Sequence, residues 1–347
     1  MHFISIVLHY RSPDHEYMTT RDRMLALTVV VLWGLNFIAI RLGLDHFPPF
    51  FFAALRFAVM AVPVVLFVRF PRMQIKWFLL YAFGFGVGQF AFLFLAMNIG
   101  MPTGLASLVL QTSAPFTVLL GVVFLRERLV PAQVVGIAVA VGGIVLIGVD
   151  RAGHSSLGVG IVVPILLTVL AGLSWAFGNI GNRLALPPNS GDALRMTLWM
   201  SVVPPIPLYL LSLAVDGPSA GFHAMATLGS TSGLIALAGL AYVVLLGTIA
   251  GSGLWTSLMQ RYPASRVAPM SLLVPVVGIT AAWLFLGEQP TYVEIGGAAL
   301  VIAGCAAGVL AAPRSRARTT PSPVFSHPSI EPTAKAQVGA SSAAEND

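Results

Sequence analysis

The sequence predicts an all-α integral membrane protein, ten transmembrane helices built as two inverted five-helix repeats. Three observations predict it. Apolar residues make up 57% of the chain and charged residues only 9%, with a mean hydropathy of +0.87. So few charges cannot coat a water-soluble fold of this length. The apolar residues also form long continuous runs without alternation, which argues against a β-barrel and for helices, whose backbones satisfy themselves in lipid. Finally, the chain echoes itself. Leu32-Trp33-Gly34-Leu35-Asn36-Phe37-Ile38-Ala39-Ile40-Arg41-Leu42 returns as Ser174-Trp175-Ala176-Phe177-Gly178-Asn179-Ile180-Gly181-Asn182-Arg183-Leu184, with the paired Trp and paired Arg equally spaced. Phe124-Leu125-Arg126-Glu127 returns as Phe285-Leu286-Gly287-Glu288, and Val135-Gly136 aligns with Gly296-Gly297. An odd number of spans per repeat places the second copy upside down in the bilayer.

Hydropathy sets the spans in order, each close to the ~20 residues that a bilayer requires. The first repeat, within residues 24–150, holds 24–43 with the first Trp-Asn pair, 49–68 with Arg56, 77–97 with Gln89, 103–124 with Gln111 and Pro115, and the glycine-rich 132–149. The second, within 151–312, holds 158–183 with Trp175 and Asn179, 194–214, 231–257 with Trp255, 265–286 with Ser271 and Pro275, and 292–312 with Cys305.

Loop charges orient this ladder. Arg21, Arg23, Arg69, Arg72, Lys76, Arg126, Arg128, Arg183, Arg195, Arg261, Arg266 and the tail arginines fall on one side, against Arg41 and Arg151 on the other. Both termini are therefore expected in the cytoplasm. Residues 1–23 read as a cytoplasmic extension. Its first 17 residues make a poor signal peptide, with a short apolar stretch and no small-residue cleavage site. Met18 makes a natural start, so residues 1–17 are an over-called start or a disordered extension. The Ser-, Pro- and Ala-rich stretch 313–347 reads as a disordered tail.

Several function classes fall away. The formal charge of +6 sits in loops and forms no basic stripe with interleaved aromatics, so no nucleic-acid partner is expected. One cysteine, Cys305, excludes an intramolecular disulfide and a cysteine-based metal site, and reads as a small packing residue. No Asp, Glu or His lies well inside a span, which removes the acid-base or metal cluster of a membrane-embedded enzyme. A sensor or scaffold would need a folded cytoplasmic domain, and the terminal stretches are short. There is no P-loop for an ATP-driven pump, and no cofactor or metal is expected. Inverted repeats are typical of secondary transporters, so the partners implied are a small-molecule substrate and the lipid bilayer.

Polar residues at membrane depth are costly unless paired or wetted, and they mark the candidate substrate site. These are Asn36, Gln89, Gln111, Asn179, Trp255 and Ser271, with Thr248 and Ser252 on the face of Trp255 at helical spacing. Interhelical hydrogen bonding and cavity lining are both open to them. Arg56 either holds a substrate carboxylate, gates the outer mouth, or snorkels to the headgroups. Pro115 and Pro275 occupy corresponding positions and make either a paired hinge or a static bend. Glu127 and Glu288 read as helix-end caps or interfacial ion pairs. Gly136, Gly142, Gly143, Gly296, Gly297 and Gly304 give close helix packing or a homodimer face.

The Trp-Gly-Leu-Asn-Phe run, Pro102-Thr103-Gly104-Leu105-Ala106-Ser107-Leu108, Glu127-Arg128-Leu129 and Arg266-Val267-Ala268-Pro269-Met270-Ser271-Leu272-Leu273-Val274-Pro275-Val276-Val277-Gly278 together resemble the EamA family of the drug/metabolite transporter superfamily. The resemblance spans roughly residues 24–312 and is strongest to its O-acetylserine/cysteine exporter branch. It implies ten helices, a bacterial inner-membrane location and alternating-access efflux of amino-acid-like metabolites, with broad-range drug efflux as the rival. It also implies a central cavity holding Asn36, Gln89, Gln111, Asn179, Trp255 and Ser271. Arg126 departs from the family pattern, which has Gly before the Glu; Gly287 keeps it.

Overall fold

The computed structural model describes residues 18–126, 130–154, 158–186, 192–262 and 267–310, and every regular element among them is helical. The 1–17 extension, the 313–347 tail, Glu127, Arg128 and Arg266 lie outside the described residues. Among the described residues, eight helices are long and apolar enough to cross a membrane: α1 (Thr20–Leu44), α2 (Pro49–Phe67), α3 (Ile75–Asn98), α4 (Thr103–Leu125), α5 (Pro131–Gly153), α6 (Val162–Ala185), α7 (Ala193–Val215) and, after a short α8 (Ala220–Ala226), α9 (Thr231–Leu258). Two shorter apolar helices follow, α10 (Met270–Leu286) and α11 (Tyr292–Ala307).

Helix ends follow local chemistry. The Thr19 side chain caps α1 by accepting from the Asp22 N–H, and Pro49 opens α2 at a position that needs no donor. α4 closes on Arg126 in the left-handed conformation (φ 55°), and α10 closes on Gly287 at φ 69°. The Gly in the family pattern thus has a conformational reason, and Arg126 carries the strain that Gly287 avoids.

The packing pairs are symmetric between the halves. α1 lies against α9 and α10, and α6 lies against α3 and α4. α2 packs on α7, α4 on α10, and α5 on α11. The last pair runs antiparallel at very close approach. A Cβ on Gly143 would sit 2.7 Å from the Gly297 carbonyl, and one on Gly304 only 2.4 Å from the Gly136 carbonyl. These glycines serve helix packing inside one chain, whereas Gly142 and Gly296 face open space.

Two irregularities repeat as well. α3 contains a π segment at Ala82–Gly88 and α9 one at Tyr242–Ala250. α4 contains a 3₁₀ segment at Leu110–Thr112, and another, Ala268–Leu273, overlaps the start of α10. Each 3₁₀ segment runs straight into the α-helical turn that carries Pro115 or Pro275. Proline's missing N–H accounts for both interruptions.

Candidate functional site

Arg56 is the strongest anomaly. It lies within α2 and is 3% exposed, so the guanidinium stays inside the protein, which sets aside the headgroup-snorkelling alternative. Its surroundings explain how a cation rests there. The guanidinium carbon sits 4.0 Å from the Phe90 ring centroid and 4.9 Å from that of Phe57, cation–π contacts that strengthen when water is excluded. Nη2 donates to the Thr248 hydroxyl at 2.9 Å. Nε and Nη1 have no partner, and no carboxylate pairs with Arg56 among the described residues.

The π segment of α9 makes the Thr248 contact available. Its wider turn lets the Thr248 hydroxyl donate to the Val243 carbonyl five residues back, at 2.8 Å, leaving an oxygen lone pair for Arg56. The same segment meets α1. Trp33 Nε1 donates to the Gly247 carbonyl at 2.9 Å, and the Asn36 side chain presses on Gly247, where a Cβ would come within 2.3 Å of Oδ1. That Oδ1 is buried and unpartnered. Beyond the π segment, Trp255 packs against Trp33 with ring centroids 5.1 Å apart at 49°. The π turn therefore splits the face drawn from α-helical spacing: Thr248 turns to α2 and Trp255 to α1. Gln89 opens the α-helical half of α3, one residue before Phe90; it is 4% exposed and its Oε1 is also unpartnered.

The remaining candidates are engaged in structure. Asn179 Nδ2 donates to the Thr117 hydroxyl at 3.0 Å, joining α6 to α4. Gln111 Nε2 donates to the Ser271 carbonyl at 3.0 Å. Pro275 brings no N–H to that oxygen; a 3₁₀ bond from Val274 takes one lone pair and Gln111 the other. Pro115 likewise brings no N–H to the Gln111 carbonyl, and the Cys305 thiol donates to it at 3.7 Å. Cys305 is buried in packing, as its composition suggested, but it also serves a carbonyl left by a proline.

Both helix-bundle ends carry fixed charge. At one end, a cavity of about 390 Å³ is lined by Arg41, Asp45, Thr103, Arg151, Glu288 and Gln289, among others. Arg41 pairs with Asp45 at 2.9 Å, and Arg151 pairs with Glu294. Glu288 accepts from the N–H groups of Thr103 and Gly104 at 2.7 and 2.9 Å, so it caps the start of α4. At the other end Asp22, 5% exposed, accepts from Tyr262 at 2.6 Å and Arg261 at 2.7 Å, tying the start of α1 to the end of α9. Sequence reading missed Asp22, Tyr262 and both π segments. A carboxylate beside an expected helix start gives no sign of its distant partner, and π turns have no compositional signature.

Comparison with known proteins places this arrangement. The EamA-like transporter family model matches residues 23–149 and again 162–309, one match per half. A probable amino-acid metabolite efflux pump of Escherichia coli K12 is 40% identical over 288 residues, covering 83% of this chain and 94% of that protein. Its Salmonella typhimurium counterpart is 42% identical over 289 residues, with the same coverage of each chain. A probable terminal-alkyne amino-acid exporter of Streptantibioticus cattleyicolor is 29% identical over 286 residues, covering 81% of this chain and 90% of that protein. One protein crystal structure matches at a TM-score of 0.54 and 20% identity, over 87% of this chain and all of that one, a likeness of fold. With its family match falling on both halves, the chain belongs to the EamA-like transporter family.

Proposed function

We propose that this protein is a secondary transporter of the bacterial inner membrane that exports amino-acid-like metabolites, O-acetylserine and cysteine among them, by alternating access. The observation that carries the proposal is Arg56: a cation buried at membrane depth, cradled by Phe90 and Phe57, with two nitrogens unpartnered. Such a group is costly unless a ligand answers it. A carboxylate answers it and a neutral lipophilic drug does not, which favours amino acids over broad-range drug efflux. The efflux and exporter names of the relatives point the same way.

The architecture supports the cycle. We read the eight long and two shorter helices as ten spans in two inverted repeats, because the contacts pair up between halves and α5 and α11 run antiparallel. Pro115 and Pro275, each behind a 3₁₀ segment, are the hinges about which α4 and α10 bend. The loop-charge bias puts both termini in the cytoplasm.

The test is metabolite release. Cells overproducing the chain are compared with empty vector and with an Arg56→Ala strain, and O-acetylserine and thiols are measured in the medium. Excess release that the variant loses supports the proposal; no excess despite confirmed membrane expression refutes it.

A further inference from the structure

Polar side-chain atoms buried without a hydrogen-bond partner are rare in a finished fold, and each asks for an explanation. Among the described residues they are the Arg151 Nε and Glu294 Oε1 atoms, which face each other in one ion pair, and four more: Arg56 Nε, Arg56 Nη1, Asn36 Oδ1 and Gln89 Oε1. The four are divided by chemistry. Both orphans on Arg56 are donors, and the orphans on Asn36 and Gln89 are acceptors.

They are also linked through the fold. Arg56 is bonded to Thr248, and Gly247, the preceding residue, backs the Asn36 side chain. Arg56 lies over Phe90, and Gln89 is the residue before it. Arg56 and Gln89 are 3% and 4% exposed, so water does not serve them freely. The donors thus come from α2 and the acceptors from α1 and α3.

We infer that this set reads a whole zwitterion: Arg56 takes the α-carboxylate, and the Asn36 and Gln89 side-chain oxygens take the α-ammonium. This rests on the transport reading above and sharpens it. The protein selects for a free amino group, not for a carboxylate alone. The ammonium brings three N–H donors to two waiting acceptors, and a substrate whose amine is acylated brings at most one donor, no charge and added bulk. A site built to hydrogen-bond a substrate N–H rejects an analogue that lacks it, because its own buried acceptors then stay unpaired.

The isomers O-acetyl-L-serine and N-acetyl-L-serine make a matched pair. They have the same atoms and the same carboxylate, and differ in whether the amine is free. Purified wild-type protein in proteoliposomes is assayed for transport of each, together with Asn36→Leu, Gln89→Leu and the double variant. The inference expects wild type to move the O-acetyl isomer at least about tenfold faster, and the double variant to bring the two rates within about twofold. If the double variant does not fold, the ratios of the single variants decide. Equal rates in wild type overturn ammonium recognition while leaving transport standing. A wild-type preference that survives loss of both amides overturns the assignment to Asn36 and Gln89. No transport of either isomer removes O-acetylserine as a substrate, and this inference with it.

Discussion

Gln111 donates its side-chain amide to the Ser271 carbonyl at 3.0 Å, and that carbonyl is the one from which Pro275 withholds a helical N–H. Of the two roles open to this residue in the sequence, interhelical bonding and cavity lining, its amide takes the first, on the broken backbone of the opposite repeat. Its own carbonyl, bereft through Pro115, accepts the Cys305 thiol. The two proline interruptions are therefore stitched to neighbouring helices by side chains, each supplying a donor where the helix cannot.

Removing the Gln111 amide should weaken this stitch. Gln111→Leu is expected to destabilise the protein by about 1–2 kcal/mol, the range for a lost bond to a partly buried acceptor that keeps one other donor. Thermal unfolding in detergent measures it, with Gln111→Glu as the companion, since a carboxylate would set charge against the carbonyl. An unchanged midpoint for both would show that the bond contributes nothing.

The Asp22 tie gives a second expectation. Its carboxylate serves Tyr262, Arg261 and the Thr19 hydroxyl. Asp22→Ala leaves a buried phenol and a guanidinium short of an acceptor, at a cost of about 2–3 kcal/mol. Tyr262→Phe should cost about 1 kcal/mol, because Arg261 and Thr19 still serve the carboxylate. Unfolding midpoints that rank in the reverse order would contradict the geometry.

Arg126 sits at φ 55°, a conformation that costs a side-chain-bearing residue roughly 1 kcal/mol more than glycine. Arg126→Gly is expected to raise the unfolding midpoint, because glycine takes this left-handed turn without a Cβ penalty, the conformation Gly287 holds at the equivalent turn (φ 69°). A lowered midpoint would mean that the arginine side chain contributes more than the backbone strain removes.

The glycines of α5 and α11 separate into two kinds. A side chain at Gly143 or Gly304 would collide with backbone of the facing helix, while Gly142 and Gly296 have open space around them. Gly143→Val should therefore abolish stable expression, and Gly142→Val should be tolerated in the same membrane-yield assay. Loss of yield in both would indicate that the open face is covered by something else.

Much of this fold was readable in the sequence because lipid simplifies the grammar. Each long apolar run must be helical, and the Trp33 and Trp175 echo exposes the repeat. The proline positions were readable too, since proline's missing donor acts wherever it stands. The site was less legible. Polar identity at membrane depth flagged Asn36, Arg56 and Gln89, whose orphan atoms the structure brings out, and it equally flagged Gln111 and Asn179, which are engaged in helix-to-helix bonds. Composition cannot distinguish these, because both roles put an amide in an apolar run. Only the backbone does so, through π turns and 3₁₀ segments that depend on packing.

The measurement closest to the central claim is O-acetyl-L-serine efflux from proteoliposomes bearing wild type, Arg56→Lys or Arg56→Gln at equal, monodisperse protein. Wild type is expected to show robust efflux, the lysine variant, which keeps the charge without the planar stacking on Phe90, partial efflux, and the glutamine variant at least about a tenfold loss. Efflux by Arg56→Gln equal to wild type would contradict carboxylate recognition by Arg56 and make it a structural charge.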